Sequence, residues 1–558
     1  MAFMQEVILK KLKEVLKELG IDAEPVLEFP ADLAHGDYSS NIAMVSIKKM
    51  ANPPAGGPKA LAEKIVASLG AIDGVSKIEV AGPGFINFTL ARESYASVLQ
   101  NTGIEWGRNE HVKGYKVMVE YSQPNPFKPF HIGHLMSTTV GEAISRLIEY
   151  SGADVYRANY GGDIGPHVAK CIWGLKKENL DPSRIADLGK AYVLGNSAYE
   201  NDPAAKEEIE AINKRLYVGD PEFTEMYDVG KSASVKHFNA IYAVLGTRFD
   251  RQFYETETAP LGVTLVQEGL AKGIFEKSDN AIVYKGEKVG LHTRVFITAK
   301  DTPTYEAKEL GLVKLKRDVF PFDLNVTTVA VEQDGYFKVV EAAIGELWPD
   351  MKGRYTHVTF GMMQLASGKM SSRKGNVITG ESLIKEMRQK ALEKMEGRDL
   401  PDKAAVADAV AVAAIKYSIL KQGTGKNIIF DPEASLSFEG DSGPYLQYSY
   451  VRAMSVLEKA GTKSSTIYGT KKIPELIPEF ERLLPRFPDV VFRAAKEYEP
   501  HYVTTYLTEL AAAFNSWYAW EKIIGSDHEA YSLLLVRAFA TTMKNGLWLL
   551  GISAPEKM

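Results

Sequence analysis

The segment that decides the fold is Pro124-Asn125-Pro126-Phe127-Lys128-Pro129-Phe130-His131-Ile132-Gly133-His134. It lies between a predicted buried strand at residues 116–121 and a predicted helix that begins near His131, and a second strand is predicted at residues 155–160. Alternation of strand, loop, helix and strand is typical of a parallel sheet covered by helices. The sequence therefore predicts an α/β domain with a Rossmann-like parallel sheet, which binds its ligand at the carboxyl ends of the strands.

The residue types in this segment fit a phosphate or nucleotide site. Backbone N–H groups and the dipole at the start of a helix favour phosphate, and Lys128 adds a positive charge nearby. His131 and His134 are one helical turn apart and are expected to project on the same side. Gly133 has no side chain, so a flat purine could approach the backbone there. Two histidines at this spacing could also be part of a metal site or solvated polar residues.

A second polar segment, at residues 366–376, contains Lys369-Met370-Ser371-Ser372 and then Lys374. A loop of this composition can place Lys369 and Lys374 against a triphosphate, where cations stabilise the charge that develops on pyrophosphate. Taken alone, a lysine-rich loop is more typical of a solvated turn. The chain has no G-x-x-x-x-G-K-[ST] loop and no convincing G-x-G-x-x-G after a strand, which disfavours P-loop and dinucleotide-binding proteins.

The length of 558 residues exceeds the size at which one hydrophobic core stops growing, so several domains are expected. Residues 1–108 read as an α+β domain, because a hairpin-like pair of strands is predicted at 75–80 and 85–90. The α/β domain is predicted over residues 109–440, with an insertion around 180–290. Residues 441–558 show helical periodicity and predict an all-α helical bundle.

Composition restricts the class of protein. Cys171 is the single cysteine, which excludes an intramolecular disulfide and a thiolate zinc site and suits a reducing cytoplasm. No apolar stretch approaches the ~18 residues of a membrane span, and the first twenty residues predict an amphipathic helix and not a signal peptide. The net charge of −5 disfavours only a globally basic nucleic-acid binder. We therefore expect a cytoplasmic protein without zinc or membrane segment.

The order of the two motifs resembles that of class I aminoacyl-tRNA synthetases. This resemblance implies that ATP, with Mg²⁺, is used to make an aminoacyl-adenylate, whose aminoacyl group is then transferred to the 3′-terminal adenosine of tRNA. The implied ATP-binding residues are Lys128, His131, Gly133, His134, Lys369, Met370, Ser371 and Ser372. The implied catalytic residues are His131, His134, Lys369 and Lys374.

Several segments are similar to arginyl-tRNA synthetases in particular, namely the region around Asp37 and residues 82–88, 119–131, 437–448 and 546–556. The similarity implies L-arginine and its cognate tRNA as partners, with a tRNA-elbow-binding N-terminal domain and an anticodon-binding C-terminal bundle. A monomer is expected. Another class I specificity, for glutamate or glutamine, and a non-catalytic tRNA-binding paralogue are the alternatives. Loss of activity should erode the two motifs first, and both are intact.

An arginine pocket needs acidic residues, because a guanidinium is planar, permanently charged and best satisfied by carboxylates in a fork geometry. The arginine-binding residues implied by the resemblance are Glu120, Asn125, Glu255, Tyr305, Glu309 and Gln333. Tyr305 and Glu309 are four residues apart and are expected on one helix face. Glu309 stands where the family usually has aspartate, so the pocket is reshaped there or the contact is indirect. Each acid could instead be a solvated surface charge.

Contacts with tRNA are predicted in both flanking domains. The resemblance implies Asn87 and Phe88 in the N-terminal domain. Exposed aromatic residues of the C-terminal bundle could stack on bases; these are Tyr445, Tyr448, Trp517 and Tyr518. The alternative is that aromatics at helical spacing belong to the core.

Overall fold

The computed structural model describes residues 4–30, 32–50, 53–366, 379–397, 399–461, 474–475 and 477–558. Its helices are α1 Met4–Glu18, α2 Ile42–Ile47, α3 Gly57–Leu69, α4 Arg92–Asn101, α5 Ile132–Tyr150, α6 Pro166–Glu178, α7 Ile185–Asn201, α8 Pro203–Tyr217, α9 Pro221–Leu245, α10 Glu255–Ala271, α11 Tyr305–Val319, α12 Asp334–Leu347, α13 Gly380–Lys394, α14 Lys403–Leu420, α15 Pro432–Ser435, α16 Gly443–Lys459, α17 Glu479–Leu483, α18 Phe487–Glu497, α19 His501–Trp520 and α20 Glu529–Leu549. Its strands are β1 Tyr38–Ser40, β2 Val75–Ala81, β3 Phe85–Leu90, β4 Lys116–Glu120, β5 Asp154–Gly161, β6 Arg251–Tyr254, β7 Glu276–Ser278, β8 Ala281–Tyr284, β9 Arg294–Ile297, β10 Leu324–Ala330, β11 Tyr355–Phe360, β12 Met363–Leu365 and β13 Ile428–Phe430.

A five-stranded parallel sheet carries the candidate site. Its strand order is β11-β10-β4-β5-β6, and every neighbouring pair is parallel. The chain builds outward from β4 to β6 on one side and then continues with β10 and β11 on the other, so the order reverses between β4 and β10. Ligands bind at such a switch point, outside the carboxyl ends of the strands. The predicted α/β fold is confirmed, and α5 begins directly at this point.

The N-terminal region forms its own small α+β fold. A three-stranded antiparallel sheet of order β1-β3-β2 includes the predicted hairpin, and α1 and α3 pack together beside it. The turn of the hairpin requires glycine at position 84, because its φ is +128° and an added Cβ would lie 2.9 Å from the backbone of Pro58. This arrangement matches the predicted α+β unit.

A separate antiparallel sheet follows α10. It consists of β7, β8 and β9, and β8 and β9 have the apolar residues typical of strands. The apolar strand β10, by contrast, joins the parallel sheet. Alternating apolar residues predict a strand but do not identify its partner, since pairing depends on tertiary packing.

The chain folds as two compact units. One comprises Met1–Trp106, Ser455–Phe487 and Ala513–Thr542. The other comprises Gly107–Met454, Pro488–Ala512 and Met543–Met558. From Gly443 onward the described residues contain helices and no strand, as the sequence predicts. No helix in the described ranges is both long and apolar enough to span a membrane.

Helices α10 and α11 cross at two glycines, and this crossing places the acidic residues of the candidate site. An added Cβ at Gly262 would lie 2.0 Å from the carbonyl oxygen of Ala307, and one at Gly311 would lie 2.0 Å from that of Thr258. Atoms cannot approach this closely, so the two helices can pack at this distance only because both positions are glycine. The first turns of both helices are thereby held close together.

We expect Gly311→Ala to lower the free energy of unfolding by about 1–3 kcal/mol, because the added methyl group forces the two backbones apart. It should also raise the KM for a ligand that binds the acidic residues on the first turns of α10 and α11, because these turns would move apart. Thermal unfolding and steady-state kinetics measure these effects. Gly189→Ala is the matched control, because Gly189 lies in α7 with no atom near an added Cβ. Equal stability of the two variants would contradict the prediction.

Candidate active site

The loop between β4 and α5 has a strained backbone that hydrogen bonds hold in place. Ser122, Gln123 and Phe127 have φ values of +77°, +55° and +67°, which residues other than glycine rarely adopt. The N–H of Ser122 donates to Ser137 Oγ at 2.9 Å, and that of Gln123 donates to the Asn159 side chain at 3.0 Å. Strain of this kind is retained where the surrounding structure fixes it, and it is concentrated at functional sites.

His131 and His134 form a reciprocal cap at the start of α5. The N–H of His131 donates to His134 Nδ1 at 3.2 Å, and the N–H of His134 donates to His131 Nδ1 at 3.4 Å. Their rings stack with centroids 3.5 Å apart, so both project on the same side, as predicted. An added Cβ at Gly133 would lie 3.0 Å from His131 Cε1. Glycine at this position therefore makes room for the His131 ring.

Both histidines are held in the neutral form. Burial lowers the pKa of His131 to about 4, with a further contribution from the charge of Lys128. Burial lowers the pKa of His134 well below its usual value, and His131 and Lys128 act in the same direction. Since each Nδ1 accepts a backbone hydrogen bond, the single proton of each neutral ring resides on Nε2. The pair can therefore donate two N–H groups to phosphate oxygens.

The alternative role of the two histidines, as part of a metal site, would need further metal-ligating side chains nearby. Within the described ranges, no group of three or more His, Cys, Asp or Glu side chains is arranged to hold a metal ion. Lys128 lies beside the histidines, with its ammonium 5.7 Å from the Tyr192 ring centroid, and burial and the charge of Lys170 lower its pKa. Lys369, Met370, Ser371, Ser372 and Lys374 lie outside the described residues.

Two buried glutamates follow neighbouring strands of the parallel sheet. Glu120 is the last residue of β4, and its carboxylate pairs with Lys316 and accepts from Gln123 Nε2 at 2.8 Å. Glu255 follows β6 as the first residue of α10, and its Oε2 lies 2.6 Å from Lys308 Nζ. Neither glutamate is a solvated surface charge.

Glu309 lies close to both of these glutamates but has no cation of its own. Burial raises its pKa to about 8, with Glu120 as the next contribution, and the nearby Lys316 only partly offsets them. Within the described part of the chain Glu309 forms no hydrogen bond or ion pair. Burial, together with the charges of the same three glutamates, raises the pKa of the half-buried Tyr160. The structure therefore brings Glu120, Glu255 and Glu309 into one acidic pocket.

Asn125 joins this pocket through Gly162. The N–H of Gly162 donates to Asn125 Oδ1 at 2.8 Å. An added Cβ at Gly162 would lie 2.7 Å from that oxygen and 3.3 Å from Glu255 Oε1. Both side chains therefore lie close to a position that has no room for a side chain.

Tyr305 and Gln333 lie at the margin of the pocket. Tyr305 begins α11 and is 67% exposed, with Lys308 Nζ 5.3 Å from its ring centroid. Gln333 is exposed in the turn between β10 and α12. Within the described ranges it makes no hydrogen bond to the three glutamates. Tyr305 and Glu309 lie one turn apart on α11, as expected. Tyr305 is exposed, whereas Glu309 faces inward.

Comparison with protein families accounts for nearly the whole chain. The family described as "tRNA synthetases class I (R), catalytic domain" matches residues 96–432. "Arginyl tRNA synthetase N terminal domain" matches residues 3–90, and "DALR anticodon binding domain" matches residues 446–558. The chain belongs to the arginyl-tRNA synthetase family.

Individual members of the arginyl-tRNA synthetase family match over their full length. The arginine–tRNA ligase of Halothermothrix orenii is 30% identical over 99% of both chains, and that of Clostridium acetobutylicum is 30% identical over 99% of this chain and 100% of its own. The arginyl-tRNA synthetase structure from Thermus thermophilus superposes with a TM-score of 0.83 at 25% identity, covering 100% of both chains. The resemblance stated from the motifs and the predicted fold class are thus confirmed. Neither a glutamate or glutamine specificity nor a non-catalytic paralogue is favoured.

Three charged residues of this family member's site were missed by sequence reasoning. Asp163 is fully buried after β5, and it accepts from Lys231 Nζ at 2.6 Å and from the N–H of Thr256 at 3.0 Å. It thereby fixes the start of α10, where Glu255 lies. The position of Asp163, directly after a strand of the parallel sheet, could have identified it from the sequence. Lys308 and Lys316 gave no such signal, because lysine on a helix is usually solvated.

Two of the predicted tRNA contacts need correction, one in each flanking domain. Phe88 is 0% exposed and belongs to the core around α1 and α3, so its ring offers no surface. Trp517 is 4% exposed and packs on Phe480 with ring centroids 4.8 Å apart, so the core interpretation holds for it. Asn87 is also buried, and its Oδ1 accepts from Ser39 Oγ at 2.7 Å.

The other aromatic residues proposed for tRNA stacking keep some exposed surface. They are Tyr445, Tyr448 and Tyr518. The Arg452 guanidinium lies 4.9 Å from the Tyr448 ring centroid, and the Tyr518 ring stacks near Phe514. These tyrosines remain predicted contacts.

Proposed function

We propose that this member of the arginyl-tRNA synthetase family attaches L-arginine to its cognate tRNA in an ATP-dependent reaction, through an arginyl-adenylate. The acidic pocket of Glu120, Glu255 and Glu309 carries the proposal, because a site for a permanent cation needs uncompensated negative charge. Two internal lysines face three glutamates there. A guanidinium supplies the positive charge that the pocket lacks, and its fork geometry suits carboxylates.

The family resemblance implies specific roles for the pocket residues, and their positions support these roles. Glu255 and Glu309 bind the guanidinium; Glu255 begins α10 and Glu309 lies on the adjoining turn of α11. Glu120 and Asn125 hold the α-amino and carboxylate ends of the substrate; both lie at the β4 end, beside α5. Tyr305 and Gln333 complete the margin of the pocket.

In the first step, a carboxylate oxygen of arginine attacks the α-phosphorus of ATP in line with the leaving group. The new P–O bond forms as the bond to the pyrophosphate oxygen breaks, and pyrophosphate leaves. ATP enters as its Mg²⁺ complex. His131 and His134 donate Nε2–H groups to phosphate oxygens, and Lys128, Lys369 and Lys374 add positive charge. No protein nucleophile is required, because positioning and electrostatics account for most phosphoryl-transfer catalysis.

In the second step, a hydroxyl of the terminal adenosine of tRNA attacks the carbonyl carbon of the adenylate. By resemblance to the class, it is the 2′ hydroxyl. The ester bond forms, the hydroxyl proton is released, and AMP leaves with the electrons of the broken anhydride bond. We infer that the N-terminal α+β region contacts the tRNA elbow and that the C-terminal helices contact the anticodon stem and loop. A monomeric, cytoplasmic enzyme completes the proposal, and light scattering checks its oligomeric state.

Arginine-dependent exchange between ATP and pyrophosphate, measured in the presence of tRNA, tests the proposed function. The tRNA is included because the family resemblance implies that activation requires bound tRNA. Exchange is expected with arginine and not with glutamate or glutamine. Exchange with another amino acid, or none with arginine, would refute the assignment.

We expect the KM for arginine to fall as the pH rises. The pKa of Glu309, about 8 in the free protein, means that this carboxyl is largely protonated at pH 7. Arginine keeps its guanidinium charge throughout this range and binds the ionised carboxylate, so binding must release that proton. Between about pH 6.5 and 8, KM should fall roughly tenfold.

Steady-state kinetics across this pH range checks the prediction, with Glu309→Gln as the comparison. The variant should have a higher KM that changes little with pH. If the wild-type KM were independent of pH, Glu309 would not be the carboxyl that loses its proton when arginine binds.

A further inference from the structure

We propose that Lys308 is a positioning residue for arginine recognition, because it holds the Glu255 carboxylate ionised and leaves one of its oxygens directed at the substrate. This inference rests on the proposed function, in which Glu255 binds the guanidinium. It assigns a role to a residue that would not itself touch the reacting atoms.

The two oxygens of Glu255 have different surroundings. Oε2 receives a hydrogen bond from Lys308 Nζ at 2.6 Å, and the two side chains are only 6% and 7% exposed. Oε1 lies 3.3 Å from the position that a Cβ of Gly162 would occupy, and Asn125 Oδ1 lies 2.7 Å from the same position. One oxygen is therefore bound by the protein, while the other faces the residues assigned to the substrate.

Lys308 is also the principal cation that acts on Glu255. Burial raises the pKa of Glu255, and Lys308 is the largest contribution in the opposite direction, through its charge and its hydrogen bond. Asp163, after β5, raises the pKa further, whereas Lys128, before α5, lowers it by less. Glu309 on α11 is largely protonated at pH 7 and supplies no cation that could replace Lys308. Without Lys308, burial and the Asp163 carboxylate would favour the protonated form of Glu255.

The phenols around the pair do not supply a replacement charge. Tyr160 faces Glu255 from β5, and Tyr305 faces both members of the pair from the start of α11. Tyr217, at the end of α8, faces Lys308. The pKa of Lys308 is raised because Glu255 outweighs the effect of burial. The ammonium therefore stays charged over the whole pH range in which the enzyme would be assayed.

The position of the ammonium is fixed by the backbone. Lys308 directly follows Ala307, whose carbonyl oxygen meets Gly262 at the crossing of α10 and α11. Both members of the ion pair therefore lie on the first turns of two locked helices. This rigidity suits a group that orients a carboxylate, because a mobile lysine would lose entropy on every binding event.

The test compares Lys308→Met with Lys308→Arg, assayed by arginine-dependent exchange with tRNA present. Lys308→Met should raise the KM for arginine at least tenfold at pH 7, with kcat and the KM for ATP within about threefold of wild type. The ratio of variant to wild-type KM should fall between pH 7 and 8.5, because Glu255 ionises at higher pH without its lysine. Lys308→Arg keeps the charge and should restore most of the affinity.

Lys314→Met is the matched control, because Lys314 lies on the same helix and pairs with Asp318 at the surface. It should leave both KM values unchanged. A lower KM for arginine in Lys308→Met would overturn the proposal, since lysine would then compete with the substrate for Glu255. A loss of kcat and affinity that does not vary with pH would overturn it as well, because such a loss indicates a purely structural role.

A double-mutant cycle with Glu255→Gln separates this proposal from the proposed function. If Lys308 acts through Glu255, adding Lys308→Met to Glu255→Gln should change the KM for arginine by less than threefold. Additive losses would refute the positioning role while leaving arginine recognition intact. Failure of Glu255→Gln alone to weaken arginine binding would instead refute the pocket assignment. Lys308→Gln, measured with thermal unfolding, provides a second variant if Lys308→Met folds poorly.

Discussion

Replacing His134 with alanine is expected to lower kcat by about two to three orders of magnitude. The substitution removes the Nε2–H donor and also the Nδ1 acceptor that caps the N–H of His131. The affinity for tRNA should change little, since the histidine pair lies at the start of α5, where we propose that the phosphates of ATP bind. Steady-state exchange kinetics and a tRNA-binding titration measure the two quantities separately.

Two further substitutions separate capping from catalysis. The amide of Asn at position 134 can reach the place of Nδ1 and keep the cap, whereas the longer Gln can place an N–H near that of Nε2. We therefore expect His134→Gln to retain more activity than His134→Asn. His528→Ala, at an exposed position before α20, is the control and should behave as wild type. Equal losses of kcat and tRNA affinity in His134→Ala would mean that the histidine mainly stabilises the fold.

Glu255→Gln is expected to raise the KM for arginine by about two orders of magnitude. The amide has the same shape but no charge, so it loses a charge-assisted hydrogen bond to the guanidinium, worth about 1.5–3 kcal/mol. It also leaves the Lys308 ammonium buried next to a neutral group. The KM for ATP should be almost unaffected, since the proposed phosphate site lies at the start of α5.

The effect of Glu255→Gln is measured by varying arginine at saturating ATP and tRNA. Glu268→Gln, on the exposed face of the same helix α10, is the control and should leave the KM for arginine unchanged. An unchanged KM in Glu255→Gln would remove this residue from the pocket.

The fold could be predicted from the sequence where the residues that interact are close together along the chain. The hairpin at Gly84 and the strand-loop-helix segment that ends at His131 were both predictable, because turn chemistry and helix capping act between near neighbours. A glycine just beyond a helix is a local signal of the same kind, and Gly551 after α20 has a left-handed φ of +65°. The separate sheet of β7, β8 and β9 was not, because strand partners are selected by tertiary packing.

The candidate site was partly predictable for a different reason. The resemblance identified Glu120 and Glu255, and the structure places both in one pocket with Glu309. The lysines that pair with two of these acids could not be predicted from the sequence, since the burial of Lys308 and Lys316 depends on how α11 packs on α10. The tRNA predictions for Phe88 and Trp517 were wrong because an aromatic residue at helical or strand spacing can equally belong to the core.

The crossing of α10 and α11 also constrains how this protein can change over evolutionary time. A change from glycine to alanine at Gly262 or Gly311 would force the two backbones apart at the crossing. The two glycines should therefore stay fixed in descendants of this chain or change only together with a shift of the helices. Divergence of substrate preference would then come from exchanges of side chains around an unchanged helix pair.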